Sequence, residues 1–159
     1  MRAPFIILIA SIALFSAWSE QSEAIPQSAI RTQSVYSICH TKTSTIRDVS
    51  EKTKREIYKR DGVPGGNHTG ICNDEAGEGC EADHRIALWD GGSNHKSNLT
   101  IQPFDKNLSC NAHDKDDLER VLHHLICAKK IKVDKAQELL FDKWEYGYKL
   151  FVDKAGCGR

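Results

Sequence analysis

The chain has 159 residues, room for one domain with a modest core. Lys plus Arg number 22 and Asp plus Glu 22, so the formal net charge is zero, which excludes a histone-like polycation that holds nucleic acid by bulk charge. Charged residues at 28% and hydrophobic residues at 40% exclude collagen and low-complexity disorder.

Arg2 is followed by an apolar run from Phe5 to Phe15. As a helix the run rises ~16 Å, too little for a ~30 Å hydrocarbon core. A charged start, an apolar stretch and then small residues is the layout of a secretory signal peptide. Residues 1–24 are therefore expected to be removed after Ala24, with Ser19 as the alternative, leaving a secreted chain with one net positive charge and no membrane span. Residues 25–34 are polar and are expected to be a flexible lead-in to a single domain over residues 35–159.

Export makes the six cysteines a disulfide framework. No Cys-x-x-Cys occurs, so a zinc knuckle is not supported. Cys72 and Cys80 bracket a loop rich in Gly, Asp and Glu and are expected to pair. Cys39 with Cys127 and Cys110 with Cys157 would then tie the ends to the middle.

In chain order, Val35 to Cys39 reads as a short strand and Thr43 to Val49 as a second extended piece. Ser50 is an N-cap for a basic helix over Glu51 to Arg60, stopped by Gly62. Gly62 to Gly79 is loop. Glu81 to Trp89 reads as a strand, Asp90-Gly91-Gly92 as a turn, and Leu99 to Gln102 as the returning strand. Asn111 caps a helix from Ala112 to about Ala128, whose apolar face is Leu118, Val121, Leu122, Leu125 and Ile126. Asp134, with Gln137 completing a capping box, opens a last helix with Leu139, Leu140, Phe141, Trp144 and Tyr148 on one side.

Chemistry-bearing residues cluster between Asp83 and Lys115. Asp83-His84 lies on the first strand, Gly91-Gly92-Ser93 turns the chain, and Asn98-Leu99 follows fourteen residues after His84. His113 then stands in the first turn of a helix, with Lys115 two residues on. Each alone is bland: a lone His84 is a strand histidine, Asn98 a turn residue, His113 part of an acidic first turn. Jointly they read DHRIALWDGGSNHKSNL followed by NAHDKDDLE.

This order resembles the HNH nuclease family, and with the LHHLIC run (Leu122 to Cys127) it is similar to small exported HNH-type proteins. The resemblance covers residues 35–150. It implies an α+β fold with a small ββα-metal core and flanking helices, here stapled by disulfides. It implies a metal-dependent endonuclease that hydrolyses phosphodiester bonds of DNA, or of RNA, with little sequence preference. In that reading His84 is the general base, Asn98 orients it, and Asp83 and His113 hold one divalent cation. Mg²⁺ or Mn²⁺ suits that pair first, Zn²⁺ or Ni²⁺ second. Lys115 contacts the substrate phosphate, and Asp117 is a further ligand or a ligand's partner. Nucleic acid is the expected partner, with no obligate protein partner. The alternative is a non-catalytic secreted effector or binding protein on the same scaffold. His123 and His124 are expected to be structural, one partly buried. Asn98-Leu99-Thr100, Asn67-His68-Thr69 and Asn107-Leu108-Ser109 are glycosylation sequons, and a glycan on Asn98 would fill the site.

Overall fold

The computed structural model describes residues 23–63, 79–104 and 109–157. Within them lie helices α1 (Val35–His40), α2 (Glu51–Arg60), α3 (Ala112–Cys127), α4 (Val133–Asp142) and α5 (Trp144–Phe151). Strands β1 (Cys80–His84) and β2 (Leu99–Pro103) form a two-stranded antiparallel sheet. The fold is α+β. Residues 1–22, and with them most of the expected signal peptide, lie outside the described residues, as do Asn67, Cys72 and Asn107. Among the described residues no helix is long and apolar enough to cross a membrane.

Local signals placed several elements. Ser50 Oγ accepts the Thr53 amide at 3.1 Å, capping α2. Asn111 caps α3, and Asp114 returns the bond to the Asn111 amide at 3.0 Å, completing a capping box. The returning strand begins at Leu99 as expected.

Four expectations about the elements fail. Val35 to Cys39 is helix and not strand, because Ser34 caps it and Ile38 is drawn into the core. Thr43 to Val49 is not extended but holds a 3-10 turn at Thr43–Thr45. The first strand ends at His84, and Leu88–Asp90 forms a 3-10 turn instead of continuing it. Asp134 is not the N-cap: α4 starts at Val133 with Lys132 at its N-cap, two residues earlier than expected, and the expected single last helix is two, broken at Lys143. Gln137, expected to complete a capping box, is fully buried. Its Nε2 donates to Thr32 O at 3.0 Å and Asp90 O at 2.9 Å.

Residues 25–34 are no loose lead-in. Ala29 is fully buried, Ile30 bridges Gly92, and the Arg31 and Thr32 amides donate to Gly91 O at 2.7 and 3.1 Å. The Gly91-Gly92 turn is where this segment docks. Gly91 has φ +92°, and a Cβ on Gly92 would lie 1.9 Å from Ile86 O, so no side chain fits.

α3 is the central element and packs on α1, α4 and α5. Its Leu118, Leu122 and Ile126 are buried with Ile38, Leu139, Leu140, Phe141 and Tyr148. Burying each such side chain contributes ~1.5–3 kcal/mol, which anchors α3 against the helices around it. Disulfides Cys39–Cys127 and Cys110–Cys157 tie α1 to the end of α3 and the start of α3 to the region after α5, as expected. The Cys72–Cys80 pairing includes a residue outside the described ones.

Candidate active site

β1 and the first turns of α3 meet at a cavity of about 230 Å³. Its polar walls are Thr43, Arg47, Glu81, Asp83, His84, Asp116 and Glu119, and Trp89 adds an aromatic wall.

His84 closes β1 and is 2% exposed. Its Nε2 lies 3.1 Å from Asn94 Oδ1, while Asn94 Nδ2 donates to Ile46 O at 2.6 Å. The second bond fixes the amide with its oxygen toward the ring. His84 Nε2 therefore carries the proton, and Nδ1 is left as the proton acceptor. Burial holds the imidazole below its ordinary pKa, against the opposing pull of Asn94 and Asp83. The ring is neutral at pH 7, as a general base requires.

Asn98 does not orient His84. It is fully buried, and its side chain spans the turn. Asn98 Oδ1 accepts the Ile86 amide at 2.8 Å, and Nδ2 donates to Ile86 O and Ser93 O, each at 2.9 Å. Asn98 staples the loop after β1, and Asn94 does the orienting. Sequence reasoning overlooked Asn94 because a loop asparagine near a glycine turn carries no distinguishing local signal. The folded site leaves no room for a glycan on Asn98.

Lys115 is not a phosphate contact. It is 1% exposed, and its Nζ donates to Asp83 Oδ2 at 2.5 Å, to His84 O at 2.8 Å, and to Glu119 Oε1. Burial alone would lower its pKa, but Glu119 and Asp83 carry it upward, so the ammonium stays charged. The lysine locks α3 to the end of β1. Glu119 is raised to about 8 by burial, with Lys115 opposing.

His113 does not line the cavity either. It is exposed and stacks on Phe104, ring centroids 5.4 Å apart. Asp117 is exposed and paired with Arg120 at 2.7 Å. Asp116 and Glu81, which sequence reasoning passed over, share the cavity with Asp83, as does Glu119. Burial first, and then the charge of Asp83, raises the pKa of Asp116 and of Glu81. The mutual repulsion of three carboxylates is what a hard divalent cation relieves, so the donor chemistry fits Mg²⁺ or Mn²⁺. One Asp83 oxygen is taken by Lys115, and the other is engaged by no described residue. Among the described residues no three His, Cys, Asp or Glu side chains converge as a ready-made cage.

His123 is half-buried, 3.2 Å from the buried Asp90 and stacked on Trp89, while His124 is exposed. No protein-family model, no curated protein and no solved structure matches the chain.

Proposed function

We propose that the protein is a secreted, metal-dependent endonuclease of the HNH type, acting on DNA or RNA with little sequence preference. The observation that carries this reading is the neutral, tautomer-fixed His84 in one cavity with Asp83, Glu81 and Asp116. Asp83 and His84 on β1 and Asp116 on α3 line one cavity, which supports the reading. Two disulfides suit a non-reducing compartment, which agrees with secretion.

In this reading His84 Nδ1 takes a proton from water. The water oxygen bonds to phosphorus, the bond from phosphorus to the leaving oxygen breaks, and that oxygen takes a proton from solvent. Asp83 and Asp116 are the residues that would hold the cation, Asp116 taking the role expected of His113. The cation supplies charge neutralisation at the phosphate and at the leaving oxygen. Lys115 holds the Asp83 carboxylate and the His84 carbonyl in place.

The test uses purified, oxidised protein with plasmid and with total RNA at near-neutral pH, in Mg²⁺, Mn²⁺, Zn²⁺ or EDTA. Cleavage that is lost in EDTA and in His84→Ala supports the reading. The ion pair of Lys115 with Asp83 favours a second reading, a non-catalytic secreted protein on this scaffold. Absence of cleavage by folded protein under every metal would select it.

A further inference from the structure

With Lys115 buried, a phosphate entering the cavity meets one cation among the described residues of its walls, Arg47. Arg47 is exposed and makes no ion pair among the described residues, although Glu81 and Asp83 line the same cavity. Its charge reaches both His84 and Glu81.

The backbone that carries Arg47 is tied to the base. The Arg47 amide donates to Thr43 O at 2.9 Å and the Ile46 amide to the same oxygen at 3.1 Å, closing the turn. The Ile46 carbonyl, one residue before Arg47, receives Asn94 Nδ2, and Asn94 Oδ1 faces His84 Nε2. Two hydrogen bonds thus set the Arg47 backbone relative to the imidazole. A planar guanidinium binds two phosphate oxygens at once and is weakly hydrated, which suits it to this place better than an ammonium.

We propose that Arg47, with the Thr43 hydroxyl beside it, grips the nonbridging oxygens of the scissile phosphodiester and sets phosphorus in line with the water activated by His84. This rests on the endonuclease reading and adds to it a substrate-binding residue from outside the two strands and α3.

The experiment compares wild type, Arg47→Ala and Arg47→Lys on plasmid and on bis(p-nitrophenyl) phosphate. In parallel, the dinucleotide thymidylyl-thymidine is titrated by calorimetry into His84→Ala and into His84→Ala/Arg47→Ala. Arg47→Ala is expected to lower kcat/KM by about 10²-fold on both substrates. Arg47→Lys restores part of the loss in KM but little of it in kcat, because the lysine keeps the charge and loses the two-point contact. Dinucleotide affinity falls by about tenfold when Arg47 is removed. The thermal midpoint is expected to stay unchanged, since the side chain is exposed and makes no ion pair among the described residues. An active wild type with Arg47→Ala within about twofold of it overturns the assignment and leaves the endonuclease reading standing. A wild type inactive on every substrate overturns that reading. The titration then decides Arg47 alone: lost binding supports its phosphate contact, and unchanged or absent binding overturns it.

Discussion

At the scale of single residues, the proposed function turns on which nitrogen of His84 is free and on where Lys115 goes. The tautomer rests on one amide, Asn94. Asn94→Ala removes the acceptor that keeps the proton on Nε2, and kcat is expected to fall by about 10²-fold or more with little change in KM. In wild type the acid limb of the rate profile is expected to lie below the ordinary imidazole range, because burial depresses His84. A limb centred above that range would contradict this account. Lys115→Met leaves Asp83 without its cation and takes a donor from the His84 carbonyl. Urea unfolding is expected to show a loss of about 3 kcal/mol. A lysine that served only the substrate would instead leave stability intact. Glu119 adds a pH dependence of definite sign. Its folded pKa of about 8 exceeds the ordinary 4.5, so the folded state holds the proton more tightly. Its contribution is complete below the ordinary value and is lost as pH rises through about 8. Glu119→Gln should flatten that part of the stability profile, measured by denaturation across pH.

At the scale of elements, the turn between the strands is the precise part. Gly92 admits no Cβ, and Asn98 ties Ile86 to Ser93 across it. Gly92→Ala is expected to destabilise by about 3 kcal/mol or more, and Asn98→Ala by a similar amount. Both break the same turn, so the double variant should cost clearly less than the two added together, a non-additivity that a denaturation cycle measures. α2 contributes by sealing the open edge of β2. Asp61 Oδ2, just past its end, accepts the Ile101 amide at 3.0 Å, and Arg60 donates to Leu99 O at 2.6 Å. Arg60 belongs to a run that the sequence presents as a basic helix, and Asp61 follows directly after it. Their bonds to the strand give that run a structural task.

At the scale of the whole molecule, a small core and two described disulfides share the load. Cys39–Cys127 closes a separation of 88 residues and Cys110–Cys157 one of 47. In the chain-entropy account these contribute about 4.5 and about 4 kcal/mol. Replacing Cys39 and Cys127 by Ala should therefore lower stability slightly more than replacing Cys110 and Cys157, as read by urea midpoint. The difference is small because the entropy of closure grows only with the logarithm of loop length. Both bridges anchor ends of α3, the helix that carries Lys115, Asp116 and Glu119. Loss of either is expected to disturb the cavity as well as the core.

What the sequence determined by itself is local or combinatorial. Ser50 and Asn111 announce their helices because a cap is an interaction within a few residues. The two bridges were legible from cysteine placement in a chain expected to be exported. Asp83, His84 and the glycine turn were legible from spacing, since a hairpin carries its register in the number of residues between its strands. The tertiary structure decided which charges face the cavity. Along α3 each residue turns about 100° from the last, so His113, Lys115, Asp116 and Asp117 point in different directions. Only the packing of α3 against β1 sends Lys115 inward, leaves Asp116 on the cavity wall and leaves His113 outside. The same holds for Asn94, Arg47 and the segment before α1. Each meets its partner across a long stretch of chain, and such a meeting leaves no periodicity or local motif in the sequence.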